Sequence, residues 1–186
     1  MIHSTRMEPR PARLSASSEL CTSCGLCCSG VIYDSVPLRE DERARAEELD
    51  MHPYEDPPGQ ARFDLPCRHL SGTCCSVYDR RPGPCAAFRC ELLKKFEADK
   101  VSANEALERI AEAKSMLDQL YPMVVANGGP ITPKRWGILL EAWRSKAAAG
   151  TATSEEAHLV LELARLNRFL DVHFRSSDQQ VVKQGE

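Results

Sequence analysis

Cys21-Thr22-Ser23-Cys24-Gly25-Leu26-Cys27-Cys28 and the later run from Cys67 through Cys74, Cys75 and Cys85 to Cys90 hold all nine cysteines of this 186-residue chain. Thiols so crowded either cross-link or hold metal, and the choice depends on the redox compartment. Residues 1–18 contain Arg6, Glu8, Pro9, Arg10, Pro11 and Arg13 and lack the apolar run of a secretion signal. A cytoplasmic, thiol-preserving setting is therefore expected, and the odd cysteine count also argues against a closed set of disulfides.

Composition narrows the classes further. Hydrophobic residues at 42% and charged residues at 27% are ordinary for a globular protein and unlike a disordered chain. A net charge of -3 and a pI near 6.0 give no bulk attraction to nucleic acid or to an anionic membrane. Apolar runs such as Met123 to Ala126 fall far short of the roughly 20 residues that cross a bilayer. No membrane partner is expected.

Outward from the cysteines, the pattern predicts a mainly α protein. A loop-rich, metal-organised cysteine segment, with a short β-hairpin, packs on a C-terminal helical region. Residues 1–18 read as a flexible leader, 19–120 as a cysteine-cluster metal-binding domain, 121–175 as helices packed on it, and 176–186 as a flexible tail. Leu38 to Leu49 is rich in helix formers but poor in apolar positions, which predicts an exposed helix with a solvated face, opened by Pro37. Pro53 to Gly59 reads as a loop, and Ala61–Leu65 with Cys74–Tyr78, flanking Ser71-Gly72, could pair as the hairpin.

Beyond Cys90 helical periodicity takes over. Ser102 and Glu105 form a capping box ahead of Ala106, Leu107, Ile110, Ala113, Leu117 and Leu120. Asn127-Gly128-Gly129-Pro130 breaks the chain, and Thr132-Pro133 restarts it as N-cap and first helical residue. Thr153 and Glu156 form a second capping box, followed by one apolar stripe from Leu159 through Leu163, Leu166 and Leu170 to Phe174. Trp136 and Trp143 share a helical face and read as core.

In C-x2-C-x2-C-C, two residues between thiols let a turn present both sulfurs to one centre, with backbone N–H groups free to bond the thiolates. The first three cysteines also match the start of bacterial ferredoxin motifs, without the proline that follows their fourth cysteine. Spacing alone does not choose between zinc and an iron–sulfur centre. Adjacent Cys27 and Cys28 point apart, by about 100° on a helix and oppositely on a strand. They serve two centres, or one ligates while the other packs. His69, two residues after Cys67, is a further candidate zinc ligand, although a histidine so placed is more often exposed or bonded once. Arg89, Lys94 and Lys95 read as a solvated basic face.

The run Cys75, Val77, Tyr78, Arg81, Pro82, Cys85, Phe88, Cys90, after C-x2-C-x2-C-C and a separate cysteine, resembles the YkgJ-like cysteine-cluster family, also called the CxxCxxCC zinc- or iron-chelating domain, over about residues 19–92. The resemblance implies eight metal ligands: Cys21, Cys24, Cys27, Cys28, Cys67, Cys75, Cys85 and Cys90. Cys74 departs from the family pattern and reads as a spare thiol, with exchange between Cys74 and Cys75 left open. A thiolate-bound centre is anionic, so Arg81 is the candidate compensating charge, with Tyr78 and Phe88 as shields.

Three function classes follow. The first is a metal-binding protein holding zinc or an iron–sulfur cluster through those eight thiolates. The family also resembles flagellin lysine N-methylases in its cysteine region, which implies an S-adenosylmethionine-dependent methyl-transfer enzyme as the alternative. A third is a zinc-stabilised module that binds a protein partner; net charge counts against nucleic acid. No G-x-G-x-x-G, P-loop, H-E-x-x-H or nucleophile elbow identifies a catalytic residue.

Overall fold

The computed structural model describes residues 15–176 except 131, 134 and 135. The fold is mainly α. Helix α1 (Ala16–Cys24) opens under the Ser15 side chain, whose Oγ accepts from Ser18 N at 3.2 Å. The expected leader therefore stops short of residue 18; its residues 1–14, and 177–186 of the expected tail, lie outside the described residues.

Short elements follow: β1 (Ser35–Pro37), a 3-10 turn at Glu40–Glu42, α2 (Arg43–Glu48), β2 (Tyr54–Glu55) and β3 (Ala61–Asp64). The expected hairpin is corrected here. Strand β3 lies between β1 and β2, antiparallel to both, with Val36 opposite Phe63 and Tyr54 opposite Arg62. The hairpin is instead β4 (Leu70–Ser71) with β5 (Cys74–Cys75), turning through Gly72. Alternation and turn residues mark a strand and a reversal; which strands pair is decided by long-range packing. Strand β2 also interrupts the expected Pro53–Gly59 loop.

The Leu38–Leu49 segment is less solvated than its composition suggests. Leu38, Glu42 and Ala46 are buried, with Met51, Phe63, Leu65 and Val77, in a small core beneath the three-stranded sheet. Glu42 Oε1 accepts from Gly83 N and from Arg39 Nη2, while Arg45 donates twice to the Arg80 carbonyl at 2.8 and 2.9 Å. These bonds fasten the segment between Cys75 and Cys85 to α2.

After α3 (Gly83–Ala87) and α4 (Glu91–Glu97) come the long helices α5 (Ala103–Ala126), α6 (Trp136–Ala148) and α7 (Ser154–His173). Both capping boxes are present: Ser102 Oγ accepts from Glu105 N at 3.2 Å, and Thr153 Oγ1 from Glu156 N at 3.1 Å. Helix α6 is described from Trp136 rather than from Pro133, and α5 runs unbroken through the boundary expected at residue 120.

Helix α7 packs on α5 and α6. Leu159, Leu163, Leu166, Leu170 and Phe174 are all buried, as are both tryptophans. Of the α5 positions expected at helical spacing, Leu107 is the exception, 46% exposed, because it falls beside the face that carries Ala106, Ile110 and Ala113. Leu20, Leu26, Val31, Ile32, Leu92 and Leu93 join this core, so the first cysteine cluster and the helical region share one interior.

The end of α7 locks that arrangement. Arg175, 5% exposed, donates to Val31 O at 2.9 Å, Ile32 O at 3.1 Å, Asn167 Oδ1 at 3.1 Å and Asp171 Oδ1 at 3.0 Å. Phe174 O accepts from Glu91 N at 3.0 Å, next to Cys90. Replacing Arg175 with Met strands the buried Asp171, and a loss of about 3–5 kcal/mol is expected in equilibrium chemical denaturation.

Candidate metal centre

Cys21 and Cys24 stand one turn apart on α1, so they face the same way, on a helix where loops and strands were expected. Gly25 ends the helix at φ 74°, a left-handed conformation suited to glycine; a Cβ there would lie 3.0 Å from the Thr73 Cα. The close approach brings the β4–β5 turn against α1. The chain then turns through Cys27 and Cys28, and Cys67 N donates to Cys28 O at 2.7 Å, tying the second cysteine block to the first. Cys75 lies on β5, Cys85 on α3, and Cys90 caps α4, its Sγ accepting from Leu93 N at 3.4 Å.

The thiols fall into two sets. Cys24 feels Cys90 and Cys21, Cys27 feels Cys90 and Cys24, and Cys90 feels Cys21. Cys28 feels Cys67 and Cys75, and Cys85 feels Cys28, Cys67 and Cys75. Links between the sets run from Cys28 to Cys27 and to Cys21. Packing divides them alike: Cys24, Cys27 and Cys90 lie against the helical core, and Cys67, Cys75 and Cys85 against the small core. The adjacent pair Cys27–Cys28 thus straddles the division.

All nine cysteines are free thiols. Burial pushes the thiol of Cys24 up to about 12, that of Cys28 to about 11 and that of Cys85 to about 12, with neighbouring thiols adding to the rise. Burial raises Cys21, Cys27, Cys67 and Cys90 too. Opposing it, backbone N–H groups of Leu26, His69 and Leu93 bond Cys24, Cys67 and Cys90. Negative charge on these sulfurs needs a cation among them.

Partial compensation is built in. The Arg81 guanidinium lies 3.7 Å over the Tyr78 ring and favours the thiolates of Cys21, Cys28 and Cys85. Arg89 acts likewise on Cys21, held by the Ala86 and Phe88 carbonyls, each at 2.9 Å. Lys114 acts on Cys24 while donating to Ser23 O at 2.6 Å. The expectation for Arg81 fits this geometry. Arg89 is exposed, as expected of a solvated face, and also lines the cavity, while Lys114 carried no spacing signal because it acts on Cys24 from α5.

His69 is otherwise engaged. Its Nε2 donates to Leu49 O at 2.6 Å, and Nδ1 accepts from Ser76 Oγ at 3.3 Å, so both ring nitrogens are used in holding the hairpin. Cys74 is exposed, with its Sγ 3.7 Å from Thr22 O.

The eight pattern cysteines, without Cys74, line one cavity of about 550 Å³, together with Tyr33, Tyr78, Arg81, Phe88 and Arg89. Among the described residues, no three His, Cys, Asp or Glu side chains converge where one ion could be held.

Fold and site define a cysteine-cluster domain built on a helical scaffold. Residues 20–111, about half of the chain, match the CxxCxxCC family, described as "Putative zinc- or iron-chelating domain", and this segment of the chain belongs to that family. The match reaches into α5, beyond the expected limit near residue 92. No curated protein and no solved structure matches the chain.

Two outcomes follow. Cys28→Ser is expected to lower the bound metal, whereas Cys74→Ser leaves it unchanged, as metal analysis of the purified proteins will read. Because folding raises these thiol pKa values, the metal-free protein keeps their contribution to stability below pH 9 and loses it as pH climbs toward 12. Its melting temperature is expected to fall over that range, and bound metal to suppress the fall.

Proposed function

We propose that this metal-chelating protein holds two iron–sulfur clusters, one on Cys21, Cys24, Cys27 and Cys90 and the other on Cys28, Cys67, Cys75 and Cys85. The observation that carries this reading is that eight pattern thiols line one cavity and divide between the two cores. Zinc–thiolate bonds are about 2.3 Å long, so four sulfurs around one ion lie within about 4 Å of one another. An ion also needs little more room than a water, roughly 10–15 Å³. Eight thiols on one cavity, with no three of the described ones converging on a single ion, suit polynuclear centres better.

Such a cluster supplies one-electron chemistry when bound. The protein's own groups suit it. Leu26, His69 and Leu93 N–H groups reach ligand sulfurs, Arg81 and Arg89 offset negative charge, and Tyr33 and Phe88 pack edge to face, with ring centroids 5.0 Å apart, at the cavity wall. Nine free thiols also fit the reducing, cytoplasmic setting and the YkgJ-like grouping read from the sequence. Among the described residues no helix is long and apolar enough to cross a membrane.

Anaerobic purification with iron, zinc and acid-labile sulfide analysis tests the proposal. Two four-iron clusters imply about eight iron and eight sulfide per chain, with visible absorbance that bleaches on reduction by dithionite. A colourless protein with about two zinc per chain would overturn it in favour of two four-thiolate zinc sites.

A further inference from the structure

We infer that Tyr33 is a positioning residue that makes the two centres unequal, by donating its phenolic hydrogen bond to the Cys27 sulfur and so to the first set alone. The inference rests on the cluster reading above. It starts from a buried hydroxyl that nothing else explains. Tyr33 Oη is shielded from solvent and closes no well-formed hydrogen bond among the described groups, with the Cys27 thiol as its hydrogen-bonding neighbour. A phenol is a good donor, and leaving one buried without an acceptor costs free energy that native structures seldom tolerate without reason.

The surroundings show where that donor is meant to go. Tyr33 lies at the cavity wall and packs against both cores, at the seam where Cys27 and Cys28 separate. The Phe88 ring meets it edge to face at 87°. Its backbone follows Ile32, whose carbonyl Arg175 holds at 3.1 Å, so the ring is anchored from the α7 side. Of the groups around the hydroxyl, Cys27 interacts with it most strongly, ahead of Cys90 and Cys28. Two of those three belong to the first set.

A neutral thiol is a weak acceptor, whereas a metal-bound thiolate accepts a charge-assisted hydrogen bond. The hydroxyl is therefore matched to the loaded form of the site. The Arg81 guanidinium does not distinguish the sets, since it acts on Cys21 as well as on Cys28 and Cys85, and Arg68 acts on Cys67 of the second set. A hydrogen bond to a ligand sulfur favours the more negative, reduced cluster and raises its potential. Tyr33 thus separates two otherwise similar couples.

Tyr33→Phe removes only the oxygen. Potentiometric titration of the anaerobically purified, loaded protein is expected to show one of two couples moved to more negative potential and the other unchanged. Resonance Raman supplies a second readout on the unaltered protein: transfer to D2O is expected to shift an iron–thiolate stretch, and the shift to vanish in Tyr33→Phe. The melting temperature of the metal-free variant is expected to equal or exceed that of the metal-free parent, since an unsatisfied group has been deleted. A merely structural hydroxyl would instead lower it.

Couples that stay in place, or that move together, overturn the proposal while the iron and sulfide content upholds the clusters. A D2O shift that survives in Tyr33→Phe overturns it as well. A parent protein without iron and sulfide overturns the cluster reading itself, and this inference with it.

Discussion

Eight thiols gathered about one cavity are the constraint to which the rest of the molecule answers. Burial and mutual proximity push Cys24, Cys27, Cys28 and Cys85 well above the ordinary thiol value. The site therefore resists becoming anionic by itself and accepts charge only together with a cationic centre. Arg81, Arg89, Arg68 and Lys114 offset part of that charge, and three backbone N–H groups point at sulfur, which is the environment a thiolate-bound centre requires.

Holding thiols apart around a space is harder than holding a bond, and the fold supplies a fastening at each corner. Arg175 ties the residues after Cys28 to the end of α7, and the Phe174 carbonyl ties α4 just after Cys90. Glu42 and Arg45 anchor the segment between Cys75 and Cys85 to α2. The bond from Cys67 N to Cys28 O joins the two blocks directly. The C-terminal helices thus belong to the site, since the core that buries their apolar stripes also receives Leu20, Leu26, Leu92 and Leu93. Removing them would expose the first thiol set from behind.

Much of this was legible in the residues. The capping boxes at Ser102 and Thr153 and the Leu159–Phe174 stripe are local patterns, and local patterns survive folding because each depends on neighbours within a turn or two. The eight pattern cysteines line the cavity and Cys74 does not. The hairpin was half legible: Gly72 marked the reversal, but the partner of Cys74–Cys75 is Leu70–Ser71, because β3 is captured by β1 and β2. Glu42 looked solvated in a run of charges, and only its contact with Gly83 makes it internal.

The sequence by itself determined the donor chemistry, the capping boxes that open α5 and α7 and the divergence of Cys27 from Cys28, all properties of residues close along the chain. Tertiary structure alone decided that the two cysteine blocks line one cavity, which core each thiol packs against, that Tyr33 and Arg89 border the cavity, and that the Lys114 charge acts on Cys24. The reason is the reach of the interactions. Spacing fixes separations within a turn, whereas Arg175 meets Val31 across 144 residues and Lys114 meets Ser23 across 91, distances over which only packing brings residues together.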